Sequence, residues 1–216
     1  FYFLTLVYFF TFYKKDYKSI IISLTVTILI ISPYLYRNYE NFNTLTITKS
    51  LGYNLLKGNN PTFKVEGSDE FISKNFSRKS LRIKTNNNYE IELDNYYRDE
   101  AFKNIKENPK IYFILYIKKV FSFLFIDLDS TYPGYYNILH ILPKIILSIL
   151  SFFGAIIVLR EKSFFQFLSI YYFSNIFLFS IFFILPRYSL ILLPVQLLLS
   201  VQLIKITFKK IAQLAR

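Results

Sequence analysis

The sequence predicts an all-α polytopic membrane protein, with a transmembrane helix bundle, an extracytoplasmic loop domain and an interfacial helix. Two stretches without any charged residue, SIIISLTVTILIISPYLY (19–36) and FFQFLSIYYFSNIFLFSIFFIL (164–185), support this class. As helices they would extend roughly 27–33 Å, which is enough to cross the hydrocarbon core of a bilayer. The overall hydrophobic share of 53% exceeds that of a soluble domain only slightly. The fold-class prediction therefore rests on how the apolar residues are distributed along the chain.

The short basic segments of the chain predict its orientation in the membrane. Five spans are expected, at 1–13, 19–36, 138–159, 164–185 and 188–204. KKDYK (14–18), REK (160–162) and the basic tail stay in the cytoplasm under the positive-inside rule, which requires the long middle segment to lie outside. The predicted parts are spans in 1–36, an extracytoplasmic loop domain in 37–109, an interfacial helix and outer loop in 110–137, three spans in 138–206 and a cytoplasmic tail in 207–216.

The run KIYFILYIKKVFSFLF (110–125) fits either a span or a helix at the membrane surface. A span would hold Lys118 and Lys119 near the middle of the bilayer at ~2.5–3.5 kcal/mol each. An interfacial helix instead directs Lys110, Lys118, Lys119 and Ser122 toward one broad face and the apolar side chains into lipid. We predict the interfacial helix, with a span as the alternative and a pair of half-spans as an additional one.

Within the long loop, three local patterns differ in strength. TLTIT (44–48) alternates between polar and apolar residues like a short strand, whereas 65–88 shows no hydrophobic periodicity. DNYYRDEAFKNIKEN (94–108) is typical of a helix, with Asp94 as its N-cap and Tyr97, Ala101 and Ile105 on one stripe. Pro109 then ends this helix and starts the interfacial one.

Three polar groups are expected at the outer membrane face: RN (37–38), GYNLLKGNNP (52–61) and PRYSLILLP (186–194). The fork of donors on arginine suits phosphate, and one hydrogen bond to a charged group contributes ~1.5–3 kcal/mol. Glycine lets the backbone approach a ligand, and asparagine both donates to and accepts from hydroxyl groups. The combination indicates a phosphorylated, hydroxyl-rich substrate presented from the bilayer.

Simpler interpretations of the same residues remain open. Arg37 and Arg187 are also suited to snorkelling at the ends of spans. Gly58 and Asn59 suit a turn, and Tyr188 suits an aromatic belt at the membrane surface.

The net charge of +12 does not indicate nucleic acid, because the basic residues lie in a mixed-charge loop and beside spans. The expected electrostatic partners are anionic membrane lipids or a lipid-linked phosphate. The chain has no cysteine, so disulfides and thiolate metal sites are excluded. His140 has no second ligand nearby, and Asp127 and Asp129 are expected to be solvated. No cofactor is indicated, and no ligand pattern supports a divalent metal.

Three ordered stretches resemble a family of membrane enzymes. SPYLYRNYENFNTLTITKSLGYNLLKGNNP (32–61) is similar to a segment of bacterial family 39-like glycosyltransferases. This GT-C class includes protein O-mannosyltransferases and lipid A aminoarabinose transferases. EAFKNIKENPKIYFILYIKKVFSFLF (100–125) resembles the helix pair of that family, and RYSLILLP (187–194) resembles its late arginine element.

The resemblance implies transfer of a sugar from a polyprenyl-phosphate donor to an extracytoplasmic lipid, glycan or protein. It places the chain in the bacterial inner membrane, with the long loop on the extracytoplasmic side. Arg187 and Arg37 would bind the donor phosphate. The substrate cavity would be formed by Asn38, Tyr53, Asn54, Gly58, Asn59, Asn60 and Tyr188. The sequence has no Met and opens inside an apolar run, so we expect a C-terminal portion whose catalytic acidic residue lies upstream.

Two other functions are carried as alternatives. A transporter or flippase component predicts functional polar groups inside the spans, where the sequence offers Asn175, Gln196 and Gln202. A membrane scaffold without catalysis predicts that the outer loop binds a protein partner. Such a scaffold would not depend on the three motifs.

Overall fold

The backbone is helical throughout its regular parts. The computed structural model describes residues 17–47, 49–83, 88–160 and 164–214, with the backbone alone for 77–83. The helices are α1 (Tyr17–Phe42), α2 (Leu51–Gly58), α3 (Asp69–Ile83), α4 (Tyr89–Glu107), α5 (Pro109–Leu124), α6 (Ile138–Val158), α7 (Phe164–Phe179), a 3-10 helix (Pro186–Leu192) and α8 (Leu193–Leu214). No strand occurs in these ranges, so the all-α class is confirmed.

Three segments are long and apolar enough to cross a membrane: Tyr17–Phe42, Ile138–Val158 and Pro186–Leu214. They coincide with the spans predicted at 19–36, 138–159 and 188–204, and they are compatible with membrane association. The predicted span at 1–13, and most of the basic segments 14–18 and 160–162, lie outside the described residues.

The predicted span at 164–185 is too long. Helix α7 ends at Phe179 after 16 residues, a length of roughly 24 Å. Beyond it the turn after α2 binds the backbone, because the side-chain amide of Asn59 donates to the carbonyl oxygen of Ile181 at 2.9 Å. The Ile184 N–H likewise donates to the Val65 carbonyl oxygen at 2.9 Å. The chain therefore leaves the helical path before it reaches the 3-10 helix.

Helices α2 and α4 pack together around a small core of Leu55, Leu56, Ile72, Tyr97 and Ala101. This burial confirms the predicted stripe for Tyr97 and Ala101. Ile105 packs instead against the larger core that joins α5, α6, α7 and α8.

The prediction that Asp94 caps its own helix is wrong, because α4 begins five residues earlier, at Tyr89. The Asp94 carboxylate accepts hydrogen bonds from the N–H groups of Gly52 at 2.7 Å and Tyr53 at 3.3 Å. These donors belong to the first turn of α2, where N–H groups have no partner within the helix. A carboxylate there also interacts favourably with the helix dipole. Asp94 thus caps the neighbouring helix.

Two further loop predictions differ from the structure. Residues 44–47 of the expected strand are irregular. Helix α3 occupies the stretch in which the sequence showed no period. Its start is marked by Ser68, whose hydroxyl accepts a hydrogen bond from the Phe71 N–H at 3.1 Å, and by Asp69 and Glu70 in the first turn. Serine followed by acidic residues is an N-terminal helix signal.

Helix α5 starts at Pro109 as predicted, but its lysines do not share one face. Lys119 and Ser122 lie on the packed face with Tyr112, Leu115 and Phe123. Lys110 and Lys118 lie on the exposed face, together with Ile111, Phe113, Ile114, Ile117 and Phe121. The packed face is possible for Lys119 because the side-chain oxygen of Asn59 accepts a hydrogen bond from it. The interfacial position of α5 stays a prediction.

Polar side chains inside the helix bundle connect its helices. Ser169 Oγ on α7 donates to the carbonyl oxygen of Ala155 on α6 at 2.8 Å. Ser151 Oγ lies 3.3 Å from the hydroxyl of Tyr172. By contrast, the amide nitrogen of Asn175 donates within α7, to the Tyr171 carbonyl oxygen at 2.7 Å. Small and hydroxyl-bearing residues at such contacts are typical of helices that associate within membranes.

Candidate functional site

The turn at the end of GYNLLKGNNP is organised by Asn59. Its amide nitrogen donates to the carbonyl oxygens of Leu55 and Ile181, both at 2.9 Å. Its backbone oxygen accepts from the amide of Asn104 at 3.2 Å. Its side-chain oxygen accepts from the ammonium of Lys119 at 3.0 Å. Asn59 therefore joins α2 to α4, to α5 and to the segment that follows α7.

Asn60 uses its amide within the turn itself. The amide nitrogen donates to the carbonyl oxygens of Lys57 at 2.7 Å and Leu56 at 3.3 Å. The side-chain oxygen accepts from the backbone N–H of Thr62 at 2.9 Å and from its hydroxyl at 2.6 Å. Every amide atom of Asn59 and Asn60 thus has a protein partner, and both residues are buried. Their predicted contact with a substrate stays a prediction.

Lys119 is the charged group that the sequence reasoning placed wrongly. Its side chain is 0% exposed, and burial lowers the pKa of its ammonium to about 7. Desolvation of this kind disfavours the charged form of a lysine. Asn59 supplies a hydrogen-bond acceptor to this amine and thereby fixes α5 to the turn after α2.

Gly58 brings the end of α2 directly onto the segment that follows α7. A Cβ atom at this position would lie 2.1 Å from the carbonyl oxygen of Phe182 and 2.3 Å from its carbonyl carbon. Non-bonded contacts this short do not occur at Cβ atoms, so a side chain at position 58 would force the two segments apart. Glycine at this position allows the backbone of α2 to pack closely against that of Phe182.

A cavity of about 340 Å³ lies where α2 meets the end of α7 and the 3-10 helix. Two of its lining residues come from separate predicted motifs: Asn54 from GYNLLKGNNP and Tyr188 from PRYSLILLP. Among the described residues, no hydrogen bond from the Asn54 side chain is found. The remaining lining is Ser50, Leu51, Leu178, Phe179, Phe182 and Phe183, with the rings of Phe179 and Phe183 centred 5.9 and 5.8 Å from that of Tyr188. The cavity thus combines an apolar wall with an amide and a phenol.

Tyr53, predicted as a cavity residue, does not line this cavity, and its side chain is held by Asp69 at the start of α3. Its hydroxyl donates to Asp69 at 2.6 Å, and Lys57 donates to the other oxygen of that carboxylate at 2.5 Å. Burial raises the pKa of Tyr53, and its hydrogen bond to Asp69 raises it further. For Asp69, partial burial alone would raise the pKa, but the hydrogen bonds from Lys57 and Tyr53 outweigh it and lower the pKa.

A second cavity, of about 440 Å³, lies between α6 and the segment that leads into α8. It contains Arg187 and, from α6, Lys144, a residue that the sequence reasoning did not select. Its lining is completed by His140, Pro143, Leu147, Ser148, Pro186, Ser189, Leu190, Leu193 and Gln196. The ion pairs found in the described part of the chain join Lys57 to Asp69 and Arg98 to Asp99, so neither Lys144 nor Arg187 has one there.

The 3-10 helix separates the two cavities. With three residues per turn, positions three apart lie on the same side. Arg187 and Leu190 accordingly line the second cavity, as do Pro186 and Ser189, whereas Tyr188 lines the first. One short element therefore presents a cation on one side and a phenol on the other.

Arg37 and Asn38 line neither of these two cavities. Asn38 is buried, and its amide donates to the carbonyl oxygen of Thr46 at 2.6 Å, which fixes the turn after α1. Arg37 is exposed on the last turns of α1. Their predicted roles in binding stay predictions.

A compact polar loop lies beside the second cavity. The Glu66 carboxylate accepts hydrogen bonds from the hydroxyl of Ser130, the backbone N–H of Thr131 and the Thr131 hydroxyl. Asp127, expected to be solvated, is only 5% exposed, and burial raises its pKa. Its carboxylate accepts from the Asp129 N–H at 3.1 Å. The spacing of isolated acidic residues gave no signal for this burial.

Comparisons with protein-family models, with curated proteins and with solved structures found no match. The family resemblance therefore rests on the three sequence motifs, and a function for the chain has to be argued from its geometry.

Proposed function

We propose that this chain belongs to a GT-C-type membrane glycosyltransferase that transfers a sugar from a polyprenyl-phosphate donor to an extracytoplasmic acceptor. One observation carries the proposal: the three stretches that resemble the family meet in a single packed unit. Asn59, from GYNLLKGNNP, binds both Asn104 and Lys119 of the second stretch. Asn54 lines a cavity together with Tyr188 of the third.

The two cavities have the chemistry that such a donor needs. An amide such as that of Asn54 both donates to and accepts from sugar hydroxyl groups, and aromatic rings provide apolar contact area. On the other side of the 3-10 helix, the guanidinium of Arg187 offers paired donors that match phosphate oxygens. The lipid phosphate is thus proposed to bind at Arg187, and the first cavity to contact hydroxyl groups of a substrate.

In the proposed reaction, the bond between the anomeric carbon and the phosphate oxygen breaks and its electron pair moves to the phosphate. The acceptor oxygen forms the new bond to the anomeric carbon with inversion, and its proton passes to a carboxylate. Cations that face the developing charge on the phosphate lower the barrier. Arg187 is assigned to that task, and the carboxylate is expected upstream of this chain.

The proposal is tested by measuring sugar transfer from labelled polyprenyl-phosphate donors in membranes that carry the full-length protein. We expect donor-dependent transfer, reduced at least tenfold by Arg187→Ala and by Asn54→Ala. Arg98→Ala is the matched control, because Arg98 is a partly exposed arginine on α4 paired with Asp99. Its transfer rate should equal that of the wild type.

Two results would contradict the proposal. Wild-type transfer by Arg187→Ala would remove that arginine from the site. Absence of transfer from every donor, with the protein inserted and folded, would favour the transporter or scaffold alternatives.

A further inference from the structure

A groove of about 520 Å³ lies between the exposed face of α5 and the loop that follows this helix. It shares no lining residue with the two cavities described above. Exposed apolar surface of this kind marks a place where a partner, a ligand or a membrane binds. Its apolar walls are Phe113, Ile114, Ile117 and Phe121 of α5 and Ile126 and Leu128 of the loop.

The groove also carries a cation and a carboxylate that do not pair with each other. Lys118 of α5 and Asp129 of the loop both line it, and both are exposed. The ion pairs found in the described part of the chain lie elsewhere, on α2, α3 and α4. Opposite charges on the helix and on the loop, beside apolar surface, match a ligand that itself carries both charges and an apolar chain.

Asp127, the other acidic residue of the groove, has partners within the protein. It also lines the small enclosed gap that contains Lys144, whose positive charge attracts its carboxylate. That carboxylate accepts a hydrogen bond from the Asp129 N–H at 3.1 Å as well. The carboxylate of Asp129 is therefore the one that remains for a ligand in the groove.

The loop that carries Asp129 is held in place by hydrogen bonds on either side of this residue. The Asp127 N–H donates to the hydroxyl of Tyr135, and the Ser130 N–H donates to the hydroxyl of Tyr136, both at 2.8 Å. A loop fixed in this way loses little conformational freedom when a ligand binds, which favours affinity.

The hydrogen-bonding capacity of the two charged groups selects one class of bilayer lipid. The ammonium of Lys118 donates to phosphate oxygens, and the carboxylate of Asp129 accepts from N–H donors. An ethanolamine phospholipid serves both groups, because a short linker joins its phosphate to a primary ammonium. A choline headgroup has no N–H to donate, and an anionic headgroup without an amine would be repelled by the carboxylate.

We propose that this groove binds a phospholipid with an ethanolamine headgroup. The phosphate would contact Lys118, the ammonium would contact Asp129, and an acyl chain would lie against Ile117 and Leu128. Such a lipid would hold the exposed face of α5 at the bilayer surface, while Lys119 holds its packed face to Asn59. This binding does not depend on sugar transfer.

The experiment measures lipid binding to the purified full-length protein by native mass spectrometry. Phosphatidylethanolamine, phosphatidylcholine and phosphatidylglycerol with identical acyl chains are compared. We expect phosphatidylethanolamine to bind about fivefold more tightly than the other two, the largest gain typical of one exposed charge pair. Asp129→Asn should remove the preference over phosphatidylcholine. Lys118→Gln should weaken the binding of both zwitterionic lipids to a similar degree.

Two controls and a labelling experiment locate the site. Lys103→Gln and Glu107→Gln change exposed charges of α4 and should keep the preference of the wild type. A phosphatidylethanolamine with a photoactivatable acyl chain should label residues 113–128. Circular dichroism and gel filtration establish that each variant is folded before its lipid binding is measured.

Several results would overturn the inference. They are equal affinity for phosphatidylethanolamine and phosphatidylcholine, unchanged binding by folded Asp129→Asn or Lys118→Gln, and labelling confined to other segments. Tightest binding of phosphatidylglycerol would reveal a surface for anionic lipids instead. Soluble glycerophosphoethanolamine that competes as well as the lipid would contradict the role of the apolar walls. Because no readout involves sugar transfer, these results leave the proposed function to its own assay.

Discussion

The Asn59–Asn60 turn and the 3-10 helix of Pro186–Leu192 were both selected from the sequence as polar motifs, yet their polar atoms have different partners. In the turn, every amide atom of Asn59 and Asn60 binds another protein group. In the 3-10 helix, the side chain of Arg187 is exposed in a cavity without an ion pair to the described residues. The first motif holds α2 and α4 to α5 and to the segment after α7, and the second leaves a cation for a ligand.

The difference follows from burial. A buried amide without a hydrogen bond costs ~1–3 kcal/mol, so the asparagines of a tightly packed turn must find partners. A guanidinium at a cavity mouth keeps its contact with water and needs none. Sequence motifs alone do not separate these two cases, because both consist of polar residues near glycine or proline. The variants described next test whether the turn is structural and whether the 3-10 helix is free to bind a ligand.

Asn59→Ala should have the largest effect on stability. It leaves the buried Lys119 and the Ile181 carbonyl oxygen without their partner, and we expect a loss of about 4 kcal/mol because each such group costs ~1–3 kcal/mol. The neighbouring Asn54→Ala is the matched control and should change stability by less than about 0.5 kcal/mol. SDS-induced unfolding of the full-length protein, followed by circular dichroism, measures both changes. Equal stability of the two variants would show that the Asn59 contacts do not hold these segments together.

Gly58→Ala should cost about 3 kcal/mol, because the added methyl group would meet the Phe182 backbone at 2.1 Å. Gly134→Ala tests the cost of the backbone conformation alone, because its added methyl group would have no steric contact. Gly134 has φ +71° and open space around its Cβ position, so its cost should be only about 1 kcal/mol. The same unfolding measurement applies. A smaller loss at Gly58 than at Gly134 would contradict the close packing of α2 on the segment after α7.

Lys119 makes stability depend on pH. Its pKa in the folded protein is about 7, whereas an unfolded lysine has a pKa of about 10.4. Between these values the unfolded chain binds more protons, so stability rises with pH, by up to about 1.4 kcal/mol per pH unit. Lys119→Met should lose this slope between pH 7.5 and 9.5, while Lys118→Met, at an exposed position, should keep it. An unchanged slope in Lys119→Met would mean that the amine is hydrated in the folded protein.

Much of the fold could be predicted from the sequence, because span length, absence of charge and proline position act locally. The spans around 19–36 and 138–159 and the helix boundary at Pro109 depend on such local signals. The end of α7 and the capping role of Asp94 could not be predicted, since both depend on residues far away in the chain. Asp94 contacts Gly52, and Ile181 contacts Asn59.

The candidate site was less predictable than the fold. Arg187 and Tyr188 could be selected because the predicted topology places PRYSLILLP at the outer membrane face. Lys144 could not be selected, since a single lysine in an apolar helix also fits snorkelling to the membrane surface. Lys144 and Arg187 line one cavity because α6 packs against α8, the helix that follows the 3-10 helix.

Arg187→Gln should have the smallest effect on stability and thereby sharpen the comparison with Asn59. The arginine is exposed and has no ion pair among the described residues, so its loss should change the free energy of unfolding by less than about 0.5 kcal/mol. The same substitution should still abolish tight binding of a lipid phosphate, whereas Asn59→Ala should weaken that binding only as far as it unfolds the protein. A loss of several kcal/mol in Arg187→Gln, measured by the same unfolding assay, would show that Arg187 is a structural residue. The contrast between the turn and the 3-10 helix would then fail, because both motifs would hold the fold together and neither would be free for a ligand.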